Sequence, residues 1–350
     1  SKLVFLIGIG ACIFLLTGSR LTAVTLTVSA AFIGFFYFRF NHPVFFNLTY
    51  SSWVIFFYLL WVLNIRASPR LKESSGLVLP LIGVLTTSVL HLFAGTPKEG
   101  IILFGAIHFS GLIGVGLASF KSMSVRRHFG LLFLLWVAIG MASAPHWLVF
   151  LDTLSVASTS YDNPSCNYYS RPWQFVDSLF LGSQNRPWSE PVINVFIFMA
   201  SMHALLGRWQ LYKRPEFWLT LLPLAGLLGF AFGVVPNTLC QKIPFIGVIH
   251  HINHTFFTAA LPFAILLGGL GLHQFWQDLS SRRGRLCRLS ITLAVSVLLI
   301  SWALKYYGSV EAWMSAAGML ALSGIAGTIL LFLVTLWPPY IEATRSRKKQ

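Results

Sequence analysis

Charged residues are scarce in this sequence: Asp, Glu, Lys and Arg make up 10% of its 350 residues, against about 25% in an average soluble domain. Hydrophobic residues make up 56%. A soluble fold of this size could not keep so much apolar surface from water, because more than half of any folded surface stays exposed. The composition therefore excludes a soluble enzyme and a disordered chain, and it is typical of a multipass membrane protein.

Acidic residues are especially few, with 10 Asp and Glu against 25 Lys and Arg, which gives a formal net charge of +15. The positive charge lies in short clusters between apolar runs, as membrane topology requires, so we exclude nucleic acid as a partner. Cysteine is also rare. The four cysteines have no metal-type spacing and are too few for a secreted disulfide scaffold: Cys12, Cys166, Cys240 and Cys287.

Long apolar runs dominate what the sequence does contain. About 20 apolar residues cross a hydrocarbon layer about 30 Å thick as a helix, and a helix satisfies its own backbone hydrogen bonds there. The sequence therefore predicts an all-α fold, a polytopic membrane helical bundle of about 11 transmembrane helices. The runs are 3–17, 21–39, 44–64, 76–94, 100–119, 129–150, 190–206, 216–234, 254–275, 289–307 and 318–337.

The basic residues predict the orientation of these runs. Eighteen of the 25 Lys and Arg lie in the loops that follow odd-numbered runs, and an excess of Lys and Arg marks cytoplasmic loops. We therefore predict a transmembrane domain over residues 1–337 and a basic cytoplasmic tail over 338–350. An odd number of spans leaves the first residue outside, so we expect this chain to be the later part of a longer protein.

Two long polar loops lie on the opposite, outer side: residues 151–189 and 235–253. The first loop combines both signs of charge with aromatic residues, and Arg171 and Trp173 in it are candidate substrate-binding residues. A long loop of this composition favours a functional role. The alternative is a folded cap on the lipid headgroups, whose Trp and Tyr side chains anchor it at the interface.

Each outer loop holds one cysteine, Cys166 in the first and Cys240 in the second. In an oxidising compartment these two residues are candidates for a disulfide that would join the loops. The alternative is a pair of unpaired thiols, because the sequence does not supply the distance between them.

The second outer loop also carries a cluster of histidines: His250, His251 and His254. His250 and His254 would share a face if this segment is helical. The cluster is a candidate cradle for a lipid-linked phosphate. Interface histidines without a ligand are the alternative, and a metal site ranks lowest of the three, because the zinc-type spacing to a carboxylate is absent.

Three residues of the outer side are acid/base candidates: His146, Asp152 and Asp162. A carboxylate close to the membrane surface could deprotonate a sugar hydroxyl. The alternative for Asp152 is ordinary capping of a helix start.

Some features inside the apolar runs predict helix packing. Histidines in or near these runs are functional candidates by default, but we expect each to make a hydrogen bond between helices: His91, His108, His146 and His203. Glycines in two runs predict close helix–helix packing: Gly226, Gly229, Gly233, Gly268, Gly269 and Gly271.

Several strings in their order resemble a known family, the bacterial YfhO-type membrane proteins, across roughly residues 10–275. One is a Gly-x-Pro-Glu/Gln type of turn after a span, within 92–99. Another is a small-residue span followed by Pro and a Ser-rich outer loop, within 139–160. The others are the loop 172–182 and a closing pattern of Gly, Pro, Ile-Pro and Leu-x-Gly-Leu-Gly-Leu within 227–272.

This family is similar to GT-C glycosyltransferases. The resemblance implies a bacterial inner-membrane enzyme that takes sugar from a polyprenyl-phosphate carrier on the outer face, with lipids and other membrane subunits as further partners. The cofactor is left open, with a divalent cation as one candidate and the lipid-linked sugar as the donor. By this resemblance the catalytic acid lies in the first outer loop, which we expect to precede this sequence if the chain is the later part of a longer protein, and the family has an Arg-containing segment where this chain has its histidines.

Two other functions remain open. One is a non-catalytic scaffold or accessory subunit of a larger membrane complex, which predicts partner helices on an apolar face. The other is a transporter or flippase, which would need charged residues at the membrane midplane or inverted repeats. The centres of the runs hold almost no charge, so the transporter ranks third.

Overall fold

The computed structural model describes residues 1–33, 43–67, 75–120, 125–156, 193–206, 210–243, 246, 249, 252–277, 290, 291 and 294. These residues form helices and short connections, and the described part of the chain contains no strand. The helices are α1 (Lys2–Thr17), α2 (Arg20–Ala31), α3 (Val44–Ala67), α4 (Ser75–Phe93), α5 (Pro97–Ser119), α6 (Val125–Val156), α7 (Val195–Leu206), a 3-10 helix (Leu211–Lys213), α8 (Pro215–Ala231), α9 (Asn237–Cys240) and α10 (Ile252–Gln277).

Five helices in the described residues are long and apolar enough to cross a membrane, namely α3, α4, α5, α6 and α10, while α1, α7 and α8 are apolar but shorter. The all-α class is therefore confirmed for these residues, and the apolar helices are consistent with a multipass membrane protein. The predicted runs 289–307 and 318–337 lie outside the described residues except for positions 290, 291 and 294, as does the predicted tail 338–350.

Local chemistry explains where several helices begin and end. The Ser19 hydroxyl accepts a hydrogen bond from the Thr22 N–H at 3.2 Å, which caps the start of α2. Pro97 opens α5 and Pro215 opens α8, where the missing N–H costs no helical hydrogen bond. Helix α1 ends at Gly18, whose φ of 67° is left-handed backbone that favours glycine.

Helix α10 is the centre of the bundle. Every residue in its most apolar stretch is buried, and it packs against α7, α8, α1 and α5. Helix α3 is a second centre, in contact with α1, α4 and α5. Helices α4 and α6 lie at the periphery, because only 28% and 22% of their apolar stretches are buried.

Glycines set the close crossing of α10 with its neighbours. A Cβ atom added at Gly271 would overlap the backbone carbonyl of Ala200 in α7, and one at Gly269 would lie 3.0 Å from Cγ2 of Ile13 in α1. The predicted close packing is confirmed here. It is wrong for Gly226 and Gly229, because added Cβ atoms there meet nothing within 4 Å.

Hydrogen bonds between helices show which helix ends lie together at each end of the bundle. At one end, Ser29 and Asn194 are hydrogen-bonded at 2.7 Å through the Asn194 side chain and the Ser29 carbonyl, and the Asn47 side chain donates to the Ala94 carbonyl at 2.6 Å. We call this the outer end, after the side on which the sequence predicts its loops. At the inner end, Asn64 donates to the Gly76 carbonyl at 2.7 Å.

The inner end also holds an ion pair between Arg66 of α3 and Glu216 of α8. These contacts agree with the alternating order of helices that the basic loops predict. Asn47 and Arg66 mark the two ends on one helix and lie 19 positions apart, which is about 28 Å at 1.5 Å per residue. That length is close to the hydrocarbon thickness of about 30 Å.

Candidate functional site

Helix α6 carries two of the predicted acid/base residues, His146 and Asp152, and both are exposed. The His146 ring packs on Phe93 at the end of α4, with ring centroids 4.8 Å apart. Asp152 lies six positions further along, about 9 Å along the axis and about 120° around the helix. The structure therefore places both residues at the outer end but does not bring them together.

Two expectations for this segment are corrected. The outer loop predicted for 151–189 begins as helix, because α6 continues to Val156. Asp152 does not cap a helix start, because it lies in the last turns of α6. The apolar pattern ends before Asp152, whereas the backbone hydrogen bonds of the helix continue past it.

The second outer loop is described in part. His254 is the third residue of α10, which begins at Ile252, and its carbonyl accepts a hydrogen bond from the Thr258 hydroxyl at 2.7 Å. His250 and His251 lie outside the described residues, so the face they would share with His254 stays a prediction. Cys240 ends α9 and is buried.

The remaining predicted site residues, Asp162, Arg171 and Trp173, lie outside the described residues. Cys166 does so too, and its pairing with Cys240 stays a prediction. Among the residues that are described, no group of three or more His, Cys, Asp or Glu side chains could hold a metal ion. The divalent cation accordingly stays a prediction as well.

A buried polar cluster joins four helices midway along α3. The Tyr58 hydroxyl lies 2.7 Å from Nδ1 of His108, and the Trp136 indole N–H donates to the same nitrogen at 3.1 Å. An indole N–H can only donate, so Nδ1 is the acceptor and the proton of the neutral ring lies on Nε2. That nitrogen lies 3.3 Å from the Ser88 hydroxyl. The cluster is a set of mutually satisfied hydrogen bonds between helices.

A second histidine of the interior is His91, which is fully buried. Its Nδ1 lies 3.0 Å from the Asn47 carbonyl and its Nε2 lies 2.9 Å from the Gly100 carbonyl. Both partners are acceptors, so a neutral ring donates to one of them and a doubly protonated ring to both. The predicted hydrogen bonds between helices are confirmed for His91 and His108.

Asn47 organises the outer turn between α4 and α5. Its amide group donates to the His91 carbonyl at 3.2 Å and to the Ala94 carbonyl at 2.6 Å, and its side-chain oxygen accepts from the Thr96 N–H at 2.8 Å. Gly95 has a φ of 77°, and an added Cβ would lie against the Asn47 side chain. A glycine is thus required there for both conformation and space.

The same turn contains two polar residues that are not among the predicted site residues, Thr96 and Glu99. The Glu99 side chain is only 9% exposed, and its Oε1 lies 3.6 Å from Nζ of Lys98. Glu99 Oε2 and Thr96 Oγ1 are both buried and have no hydrogen-bond partner among the described residues. The Thr-x-x-Glu spacing is that of a capping box, and it is the signal that could have drawn attention to them.

The capping box does not form because Asn47 replaces it. In a capping box the Glu carboxylate accepts from the N–H of the N-cap residue, but here the Thr96 N–H donates to Asn47. The Thr96 hydroxyl likewise makes no cap hydrogen bond. The Thr96 hydroxyl and the Glu99 carboxylate are the groups that accept hydrogen bonds from N–H groups at the helix start in a capping box. Here neither of them does so.

The chain matches no known family, no curated protein and no solved structure. The resemblance to YfhO-type proteins stays a prediction.

Proposed function

We propose that this chain is the membrane domain of a GT-C-like glycosyltransferase, which acts on sugar linked to polyprenyl phosphate at the outer end of the bundle. In this proposal the protein spans the bacterial inner membrane about 11 times. The outer loops 151–189 and 235–253 cover the outer end, and the tail 338–350 is cytoplasmic.

The position of Asp152 is the observation that supports the proposal. Helix α6 has 32 residues, which is about 48 Å and exceeds a hydrocarbon layer of about 30 Å. His146 packs on Phe93 at the outer end, and Asp152 lies about 9 Å further out along the helix. In the proposed topology its exposed carboxylate would lie at the depth of the sugar and phosphate of a membrane-bound carrier.

A carboxylate at this depth can act as a general base. Asp152 would take the proton from the acceptor hydroxyl as the acceptor oxygen bonds to C1 of the sugar. The bond between C1 and the phosphate oxygen would break at the same time, and polyprenyl phosphate would leave. Arg171, His250, His251 and His254 are the predicted partners for the phosphate charge.

Transfer of labelled sugar from polyprenyl phosphate by the full-length protein in proteoliposomes tests this role. We expect Asp152→Asn to lower the rate about 100-fold or more, as removal of a general base does, and Asp152→Glu to retain part of it. Thr153→Val is the matched control, since the exposed Thr153 hydroxyl only donates to the Val149 carbonyl at 2.8 Å. Wild-type protein without transfer activity, or an unaffected Asp152→Asn variant, would contradict the proposal.

A non-catalytic accessory subunit is the second candidate function. It is favoured by the separation of His146 and Asp152 around α6, which keeps these two predicted acid/base residues from acting as a pair. This function predicts co-purification with other membrane subunits in a fixed stoichiometry and no change in the assembly's activity when Asp152 is replaced by Asn.

A further inference from the structure

We propose that Thr96 and Glu99 form a sugar-binding site at the outer end of α5, which takes neutral hydroxyl groups of the carrier-linked sugar. The inference rests on the proposed function, because it names the part of the substrate that this end of the bundle would hold. It concerns binding, and neither residue is given a role in the transfer step.

Unmet hydrogen-bonding capacity is the first argument. The Glu99 side chain is more than nine-tenths buried, and its Oε2 has no hydrogen-bond partner in the part of the chain that the structure describes. Oγ1 of Thr96 also has no hydrogen-bond partner among the described residues. Buried polar groups are rarely left without a partner, and Asn47 has already taken the backbone N–H that the carboxylate would otherwise cap.

The charges around Glu99 select the class of ligand. Lys98 Nζ lies 3.6 Å from Oε1 and already supplies a positive charge, which disfavours a second cation. A phosphate would be repelled by the carboxylate itself. A hydroxyl group avoids both conflicts, because it can donate to Oε2 of Glu99 while a neighbouring hydroxyl bonds Oγ1 of Thr96. A neutral sugar offers adjacent hydroxyl groups of this kind.

The location agrees with a substrate at the outer end. Thr96 follows Phe93, on which His146 packs, so the turn lies beside the helix that leads to Asp152. Glu99 precedes Ser110 by 11 positions, close to three whole turns, and the Ser110 hydroxyl donates to the Leu219 carbonyl of α8 at 2.7 Å. Glu99 therefore lies on the face of α5 that meets α8.

Binding to the full chain in nanodiscs tests the proposal with defined probes. The probes are polyprenyl phosphate carrying glucose, galactose or mannose, the bare polyprenyl phosphate, and each free sugar. We expect at least one sugar-bearing carrier to bind more tightly than the bare carrier. Glu99→Gln should weaken the binding of that carrier about tenfold or more, since it removes a hydrogen bond to a charged group. The affinity for the bare carrier should be unchanged.

Glu216→Gln is the matched control. Glu216 also lies in a first helical turn that begins with proline, is buried, and has an Oε2 without a partner among the described residues, but it lies at the inner end. We expect the Glu216→Gln variant to prefer the sugar-bearing carrier over the bare carrier as strongly as the wild type does. Thr96→Val and Thr96→Ser probe the site without changing charge, and only the valine variant should lose affinity, about threefold or more.

Three results would overturn the proposal: equal affinity of the wild type for sugar-bearing and bare carriers, an unchanged preference in both Glu99→Gln and Thr96→Val, or free sugar that binds as tightly as the carrier. Should Glu99→Gln fail to fold, the two Thr96 variants decide alone. Sugar-dependent binding without transfer would contradict the proposed enzyme and leave this site standing. Sugar transfer that is unaffected by Glu99→Gln and Thr96→Val would support the proposed enzyme and contradict this binding site.

Discussion

Replacement of Asn47 by Ala should destabilise the bundle strongly. The Asn47 side chain is buried and makes three hydrogen bonds, to the His91 and Ala94 carbonyls and from the Thr96 N–H. Alanine would leave all three backbone groups without this partner. It would also leave a cavity beside Gly95 and Gly100, whose missing Cβ atoms make room for the asparagine.

The expected loss can be estimated from these contacts. Side-chain hydrogen bonds between membrane helices contribute about 0.6 kcal/mol on average and up to about 1.7 kcal/mol. Three such bonds at the average value, together with a penalty of about 1–3 kcal/mol for an unsatisfied buried N–H, give a loss of about 3–5 kcal/mol in the free energy of unfolding. Asn64→Ala is the control on the same helix, because Asn64 makes one exposed hydrogen bond, to the Gly76 carbonyl, and should lose less than about 1 kcal/mol.

Reversible unfolding of the purified protein in mixed micelles, followed by circular dichroism and by Trp fluorescence, measures both variants against the wild type. A melting temperature of Asn47→Ala equal to that of Asn64→Ala would refute the reasoning. It would mean that the outer turn between α4 and α5 is held by the surrounding apolar packing rather than by this side chain.

Two further predictions concern packing and orientation. Gly271→Ala should destabilise the protein by about 1–3 kcal/mol, because the added Cβ would overlap the Ala200 carbonyl. Gly226→Ala is the control and should be neutral or stabilising by up to about 1 kcal/mol. Equal melting temperatures of the two variants would contradict this. In a cysteine-free background, Asp152→Cys should react with a membrane-impermeant maleimide added to intact cells, and Lys213→Cys only after the cells are opened; labelling of both in intact cells would contradict the proposed orientation.

The helices were largely predictable from the sequence. Nine of the apolar runs correspond to described helices, from 3–17 as α1 to 254–275 as α10. Length and apolar content are properties of each segment alone, so they need no knowledge of its neighbours. The end of α6 was missed by six residues, because the predicted apolar run stops at residue 150 while the backbone hydrogen bonds of the helix continue to Val156.

The candidate site was less predictable. The sequence selected Asp152 by its place after the run 129–150 and His146 by its place near the end of that run, and the structure shows that both lie in the second half of α6. It did not select Glu99 or Thr96, because the lack of a hydrogen-bond partner for their side-chain oxygens among the described residues depends on the position of Asn47. That residue is 49 positions from Thr96, and its side chain takes the N–H that would otherwise use the carboxylate.

The sequence by itself determined that the chain forms long apolar helices, because the transfer of apolar residues out of water acts segment by segment. Only the tertiary structure decided which polar groups meet. Tyr58 and His108 are 50 positions apart, and their contact depends on the rotation and axial register of two helices. Packing sets both of these, and it also leaves Glu99 buried without a partner for Oε2 among the described residues.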